Sequence, residues 1–161
     1  MGVLENWIHT AHGWTYLSCY LLSIISAVVP WFNAEVLLLA FSTAVPFPFG
    51  LAGLVVAGSA GQMTGKIGLY WAGRGTMRIQ SERVAMVLGR WRDRLQQHPS
   101  GPLALIFTSA ILGFPPFYAV TLFAGAIRFR LDHFLVVGTV GRLARFGVLL
   151  FGPHVAYRLF R

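Results

Sequence analysis

The residues whose chemistry stands out are two arginines and one glutamate inside apolar stretches of the chain. Arg142 and Arg145 are three positions apart within the apolar region 131–152, so a helix places them on one face. An arginine at the centre of a membrane costs about 2.5–3.5 kcal/mol on insertion scales, so two are not expected to face lipid. We expect them to line a cavity and to pair with Glu35 or with an anionic ligand. The alternative is that both side chains snorkel towards one interface.

Metal-dependent and nucleophilic chemistry is not expected from the remaining residues. Of the five histidines, His9 and His12 share a helical face, but no third ligand follows nearby. The single cysteine, Cys19, lies in an apolar stretch where packing is its expected role. The sequence therefore predicts no catalytic residue, no metal site and no cofactor, and an enzyme acting on lipid phosphates is the less favoured interpretation.

A glycine–lysine pattern in residues 60–67 invites comparison with the phosphate-binding loop of nucleotide-binding proteins. Ala60 replaces the first glycine of that motif, and Ile67 replaces the serine or threonine that should follow Lys66. The stretch also lies inside an apolar region of the chain. We therefore reject a nucleotide-binding role for it.

The composition is that of a membrane protein. Of 161 residues, 56% are hydrophobic and 11% are charged, whereas a soluble domain carries roughly a quarter charged residues. The formal net charge is +8, and the basic residues flank apolar segments. That pattern favours attraction to anionic lipid headgroups over nucleic acid. We predict one all-α integral membrane domain over residues 1–161, a small bundle with transmembrane helices.

The first apolar region, residues 14–45, is interrupted at Pro30, Asn33 and Glu35. It is too long for one crossing and too short for two, because a full crossing takes about 20 residues. A proline and polar groups near its midpoint predict a re-entrant hairpin, which is tolerated only where protein or a watery cavity covers the broken backbone. The alternative is one long tilted helix followed by a loop.

The second region, residues 47–72, is expected to form a transmembrane helix. Its small residues Gly53, Ala57, Gly61 and Gly65 follow one another at four-residue steps. This spacing places them along one helix face, which allows a neighbouring helix to approach closely. We interpret this seam as a packing surface.

The third region, residues 102–127, is broken by Pro115 and Pro116, which remove two backbone donors. Its halves match a second re-entrant hairpin, expected to face the first. Two broken segments in separate halves of a membrane protein point to a binding site where they meet, so both prolines are candidate substrate-binding residues. The last region, 131–152, is expected to be a transmembrane helix.

The most polar stretch, residues 74–98, carries apolar residues at helical spacing with arginines on the flanks. We expect an amphipathic helix that lies on the membrane surface with its apolar face down. The residues expected to contact that surface are Arg83, Arg90, Trp91 and Arg94. The alternative is a solvated helix that caps the bundle.

Four sequence elements, taken in order, resemble the DedA/VTT superfamily (the SNARE-associated Golgi protein domain), and in particular its short YqaA-like branch. The resemblance covers roughly residues 29–151. Lys66 stands where many members of that superfamily have an acidic residue. The four elements are Pro30-Trp31-Phe32-Asn33-Ala34-Glu35, Gly61-Gln62-Met63-Thr64-Gly65 leading to Tyr70-Trp71-Ala72-Gly73-Arg74, the proline-broken segment ending in Ala124-Gly125, and Gly141-Arg142-Leu143-Ala144-Arg145-Phe146.

The resemblance implies two facing re-entrant hairpins and the movement of lipids between leaflets, as a flippase or scramblase. Implied partners are membrane lipids such as phospholipids or the phosphorylated polyprenyl carrier of envelope synthesis, and the implied location is the bacterial cytoplasmic (inner) membrane, with several crossings. Glu35 matches the acidic group of the family's first hairpin, while Arg142 and Arg145 match its basic last helix. The oligomeric state stays open, with a homo-oligomer as one option. A non-transporting structural or assembly membrane protein is the alternative function.

Overall fold

The computed structural model describes residues 2–29, 31–76, 86, 90, 93 and 100–159. Every regular element in these ranges is helical and none is a strand, which confirms the all-α part of the prediction. Pro30 and most of the predicted amphipathic segment 74–98 lie outside the described residues. The helices are α1 (Gly2–Val28), α2 (Ala34–Ser42), α3 (Phe49–Thr76), α4 (Ser100–Leu112), α5 (Phe117–Ala126) and α6 (Leu131–Leu159).

The first predicted interruption falls between α1 and α2. Helix α1 ends at Val28, and α2 starts after Asn33, whose side-chain oxygen accepts a hydrogen bond of 2.9 Å from the backbone N–H of Glu35. This N-cap satisfies one of the backbone donors that every helix start leaves open. Helix α1 begins at Gly2, whereas the predicted apolar region began at residue 14. The helix therefore includes the more polar residues that precede this region. The break is confirmed, while the re-entrant path stays a prediction.

The second predicted interruption separates α4 from α5. Gly113 follows α4 with a φ of 77°, a left-handed conformation that glycine adopts without strain. Ser109 donates a hydrogen bond of 2.6 Å from Oγ to the carbonyl oxygen of Pro115. Pro116 is the N-cap of α5, where its missing N–H costs nothing. The proline pair therefore ends one helix and starts the next, as predicted.

One helix among the described residues is long and apolar enough to cross a membrane, namely Leu131–Arg158 within α6. Within the most apolar 18 residues of this helix, only 28% are buried inside the structure. Helix α3 has 28 residues but does not meet the same criterion, because its apolar first half gives way to Gln62, Thr64 and Lys66. The described residues thus contain one candidate crossing, and several crossings stay a prediction.

The fold divides into two compact units. Unit 1 comprises Met1–Gln62 with Leu143–Arg161, and unit 2 comprises Met63–Arg142. The core of unit 1 combines residues of α1, α2, α3 and α6, and the core of unit 2 combines residues of α3, α4, α5 and α6. The fully buried members of these two cores are Cys19, Leu38, Leu54 and Phe146 in unit 1, and Tyr70, Ile106, Ala110 and Phe134 in unit 2.

Close helix contacts in unit 1 use the predicted small-residue seam of α3. A Cβ added at Gly53 would lie 2.8 Å from the ring of Tyr16, and a Cβ at Gly61 would collide with the carbonyl oxygen of Tyr20. Both tyrosines belong to α1. The packing role of the seam is therefore confirmed for these two glycines.

A second close contact, which the sequence did not predict, joins α3 to α5 in unit 2. A Cβ at Gly73 would collide with the carbonyl oxygen of Leu122, and a Cβ at Gly125 would collide with that of Tyr70. Gly73 of α3 and Gly125 of α5 thus allow the backbones of the two helices to touch. The hydroxyl of Tyr70 also donates to the carbonyl oxygen of Phe129, just beyond α5.

The outer surfaces of the helices carry large apolar side chains. Along α1 these are spaced by three or four residues and form one exposed face: Trp14, Leu17, Leu21, Ile25 and Val28. Exposed valines also occur along α6, at Val136, Val140, Val148 and Val155. Scattered exposed apolar residues are normal on soluble proteins, but a continuous face like that of α1 marks a surface that meets lipid or another protein.

Candidate functional site

Glu35 and Arg145 form an ion pair in unit 1. The Nε of Arg145 donates to Oε1 of Glu35 at 2.7 Å, and its Nη2 donates to the same oxygen. The side chains of Arg145 and Glu35 are 23% and 31% exposed. The predicted pairing of Glu35 with an arginine is thus present for Arg145. Their role in binding a substrate stays a prediction.

Helices α2 and α6 hold this pair in place. Glu35 is the second residue of α2, where the helix dipole favours a negative charge, and Asn33 caps that turn. Arg145 lies in the middle of α6, beside the buried Phe146. A half-buried carboxylate therefore offsets the charge of Arg145, so the pair brings little net charge to this part of unit 1.

Arg142 lies in a different cluster, in unit 2. Its Cζ is 4.8 Å from the centroid of the Phe117 ring, and the Nζ of Lys66 is 5.6 Å from the same centroid. Lys66 is only 3% exposed. We call Lys66, Arg142 and Phe117 the cation cluster.

Stacked aromatic rings hold Phe117 in position. Its ring stacks on that of Phe134 with 5.9 Å between centroids and 16° between planes, and Phe134 in turn contacts the ring of Tyr70 at 5.9 Å. Phe134 and Tyr70 are fully buried. These buried rings place Phe117 in the core of unit 2, where Lys66 and Arg142 both lie near its ring.

The start of α5 adds to the positive character of the cation cluster. Phe117 is the first residue of α5, and the N-cap Pro116 makes no side-chain hydrogen bond to the first turn. A helix N-terminus carries a partial positive charge and backbone N–H groups suited to anions. Of the two predicted prolines, Pro115 is half-buried and Pro116 is exposed, and both act here by shaping the entry to α5.

An apolar cavity of about 310 Å³ lies between α4 and α5 in unit 2. Along α5 it is lined by Val120, Phe123 and Ala124, and just beyond that helix by Ile127. The lining carries no charged residue, so the cavity suits a hydrocarbon chain and not a polar group. Its remaining lining residues are Gly101, Pro102, Leu105, Ile106 and Phe129.

Sequence reasoning missed Lys66 as a member of a site. In the sequence, Lys66 belongs to an incomplete nucleotide-loop pattern and stands where the DedA/VTT superfamily often has an acidic residue, and neither feature predicts a site. The available signal was a lone lysine inside an apolar stretch, since an ionisable residue there points to a function.

Of the four predicted membrane-surface residues, the structure describes only Arg90. Arg90 is helical and exposed, as are Met86 and Asp93. Arg83, Trp91 and Arg94 lie outside the described residues. The orientation of this segment on a membrane therefore stays a prediction, and so does the alternative of a solvated cap.

Among the residues that the structure describes, no group of three histidines, cysteines, aspartates or glutamates could hold a metal ion. The charged side chains described above form the Glu35–Arg145 ion pair and the cation cluster. Comparison of the chain with models of protein families, with curated proteins and with solved structures gives no match. The resemblance to the DedA/VTT superfamily therefore stays a prediction based on the four sequence elements given above.

Proposed function

We propose that the chain is a helical membrane protein with several crossings, which moves a phosphate-bearing lipid between the leaflets of a bacterial cytoplasmic membrane. The observation that carries the proposal is the inverted distribution of polarity. Lys66 is 3% exposed, whereas Trp14 and Val148 are 64% and 73% exposed. Water would favour the opposite arrangement, while a bilayer favours apolar faces outside and charged groups inside.

The broken helices support a transport role. In this proposal the α1–α2 pair and the α4–α5 pair are re-entrant hairpins, one in each unit, whose breaks lie at membrane depth. Unwound backbone is tolerated there only beside protein or a water-filled cavity, and transporters place such breaks at their binding sites. The second break lies directly before Phe117, the ring that both Lys66 and Arg142 contact.

The kind of lipid follows from the charges. Guanidinium groups bind phosphate oxygens through two parallel hydrogen bonds, so Arg142 suits a phosphate headgroup better than a neutral one. The hydrocarbon chain of the lipid stays in the bilayer or against apolar protein surface. A phosphorylated polyprenyl carrier and a phospholipid both have this chemistry.

The hairpin interpretation of residues 102–127 can be tested by labelling. Because a re-entrant segment leaves the membrane on the side from which it enters, residues on either side of it share one face of the bilayer. We expect cysteines at Ser100 and Arg130, in a Cys19→Ser background, to react with an impermeant thiol reagent from the same side of sealed vesicles. Labelling from opposite sides would make this segment a plain crossing and would remove the second hairpin.

Transport is tested by reconstitution of the purified protein into vesicles. We expect the protein to move a fluorescent polyprenyl phosphate between leaflets, followed by the fraction accessible to an impermeant quencher. Arg142→Ala should slow this movement at least tenfold, and Arg142→Lys should restore part of the rate, because an ammonium group keeps the charge but loses the two-pronged contact.

The matched control is Arg90→Ala, which removes an exposed arginine and should change surface attraction by only about 1 kcal/mol. We expect this variant to transport at nearly the rate of the unmutated protein. A rate for Arg142→Ala equal to that of Arg90→Ala would refute the headgroup role. An unmutated protein that moves neither polyprenyl phosphate nor phospholipid would instead favour a structural or assembly role.

A further inference from the structure

We propose that one end of unit 2 is an arginine surface that lies on the anionic cytoplasmic face of the membrane and so sets which way round the chain is inserted. The arginine surface consists of Trp71 and Arg74 near the end of α3 and of Arg128 and Arg130 between α5 and α6. The inference rests on the membrane location in the proposed function, but it involves neither the ion pair of unit 1 nor the cation cluster. Its partner is the headgroup layer of the surrounding lipids, which stay in place, and not a lipid that is moved.

The first step is that α3 and α5 run in the same direction within unit 2. Phe117, the first residue of α5, lies near Lys66, with 5.6 Å from Nζ to the ring centroid. Further along α5, a Cβ at Gly125 would collide with the carbonyl oxygen of Tyr70 and lie 3.1 Å from the backbone nitrogen of Arg74. The contact thus moves forward along both helices, so both end on the same side of unit 2.

The second step is that the turn after α5 is tied to α3 on this side. The backbone N–H of Arg128 donates to the carbonyl oxygen of Gly125 at 3.0 Å. That of Phe129 donates to the carbonyl oxygen of Ala124 at 2.9 Å. The carbonyl oxygen of Phe129 in turn accepts the hydroxyl of Tyr70. The turn that carries Arg128 therefore lies against the last part of α3.

The third step is the backbone conformation of Arg128. Its φ of 56° lies in the left-handed region, and the hydrogen bonds of the turn are those of a helix end that glycine usually closes. A side chain in this conformation brings Cβ too close to the backbone, a contact that glycine avoids. The backbone thus gives no reason for an arginine here. The exposed side chain supplies the reason, as residues held at such a cost are found at functional sites.

The charge and the aromatic ring of the arginine surface match a lipid headgroup layer. Arg130 is paired with Asp132, which also contacts His133, so this acid offsets one of the three arginines. Arg74 lies over the exposed ring of Trp71, with 5.1 Å from Cζ to the centroid. Tryptophan rings lie at headgroup level in membrane proteins, and arginines beside them are attracted to anionic lipids.

The fourth step assigns this end of unit 2 to the cytoplasmic side. Pro102, at the start of α4, lines the cavity that Ile127 and Phe129 also line, so α4 starts where α5 ends. The sequence between α3 and α4 therefore leaves from this side and returns to it, and residues 77–99 add five arginines against two acids. Short connections rich in arginine stay in the cytoplasm. Helix α6 starts at this side, so its other end lies on the opposite face of the membrane.

Thiol labelling tests the orientation. Single cysteines are placed at Ser100, the first residue of α4, and at Phe160, which follows α6, in a Cys19→Ser background. We expect an impermeant reagent added to spheroplasts to label Phe160→Cys and not Ser100→Cys, and inside-out vesicles to give the reverse. Labelling of Ser100→Cys in spheroplasts would overturn the proposal.

The contact with anionic lipid is tested by Arg128→Gly in the purified full-length protein in detergent. The probes are phosphatidylglycerol and phosphatidylcholine with the same dansyl-labelled chain, followed by energy transfer from the tryptophans. We expect the unmutated protein to prefer phosphatidylglycerol, and Arg128→Gly to lower this preference about fivefold, the effect of one arginine near an anionic surface. The same variant should unfold at a higher temperature, because glycine adopts the left-handed turn without strain. A purely structural role would lower the unfolding temperature and leave the lipid preference unchanged.

The matched control is Arg158→Gln, an exposed arginine towards the other end of α6. It removes the same charge and leaves the arginine surface intact, so we expect the preference for phosphatidylglycerol to stay within twofold of that of the unmutated protein. Equal losses in Arg128→Gly and Arg158→Gln would overturn the proposal, because the attraction would then depend on net charge alone.

Failure of this inference and failure of the proposed function give different results. A chain that is oriented as described but moves no lipid would keep the arginine surface and lose the transport function. A chain that moves lipid while Ser100→Cys is labelled in spheroplasts would keep the transport function and lose the arginine surface.

Discussion

Gly73→Ala is expected to destabilise the protein by about 1–3 kcal/mol, although alanine favours helix formation. The added Cβ would collide with the backbone carbonyl of Leu122, and a backbone carbonyl within a helix cannot move aside as the end of a side chain can. Gly125→Ala should have a similar effect, because its Cβ would meet the carbonyl oxygen of Tyr70. Thermal unfolding of the purified protein in detergent measures both.

Two other glycines of α3 provide the control. A Cβ at Gly68 or Gly75 has no neighbouring atom within 4 Å. Substitution of either by alanine should therefore stabilise the protein by about 0.5–1 kcal/mol through the lower entropy of the unfolded chain. We therefore expect Gly73→Ala to lower the stability and Gly75→Ala to raise it. The same small change at all four glycines would show that α3 and α5 do not touch as described.

Arg145→Ala is expected to cost about 1–3 kcal/mol of stability, because it leaves the carboxylate of Glu35 half-buried without its guanidinium partner. Removing one member of a fully buried pair costs about 3–5 kcal/mol, and the partial exposure of both side chains lowers that figure. Replacing both residues, in Glu35→Gln with Arg145→Ala, should cost less than the sum of the two single changes. Unfolding of the four proteins under one set of conditions gives the coupling.

The ion pair of Arg130 and Asp132 serves as the exposed reference. Its side chains are 74% and 58% exposed, with 2.8 Å between Nη2 and Oδ2. Exposed pairs contribute only about 0–1 kcal/mol, so Arg130→Ala should be nearly neutral. If Arg145→Ala were tolerated as well as Arg130→Ala, Glu35 would not belong to the interior of unit 1.

The helix breaks could be predicted from sequence because their causes are local. Pro115 and Pro116 exclude helical hydrogen bonds for their own positions, and the observed helices end at Leu112 and resume at Phe117. Asn33 is likewise a typical N-cap, and α2 follows it directly. In both places the backbone conformation depends on residues only a few positions apart.

The cation cluster could not be predicted, because it depends on which helices meet. Lys66 and Arg142 are 76 positions apart in sequence, and the ring that both lie near, Phe117, belongs to a third helix. It was equally difficult to predict which glycines make close contacts between helices. Glycines are frequent throughout α3, and nothing local distinguishes Gly73, which touches another backbone, from Gly75, which does not. The pairing of Glu35 was easier, since few charges in the apolar regions could serve as its partner.

The ion pair of unit 1 has a consequence for biosynthesis. Glu35 leaves the ribosome 110 residues before Arg145. At 5–20 residues per second the nascent chain carries this acid without its guanidinium for about 5–20 s. Unit 2 is one continuous segment, Met63–Arg142, and is fully synthesised before the last part of unit 1, Leu143–Arg161, appears. Unit 1, whose first residues are synthesised first, is thus the unit that is completed last, and Glu35 waits several seconds for Arg145.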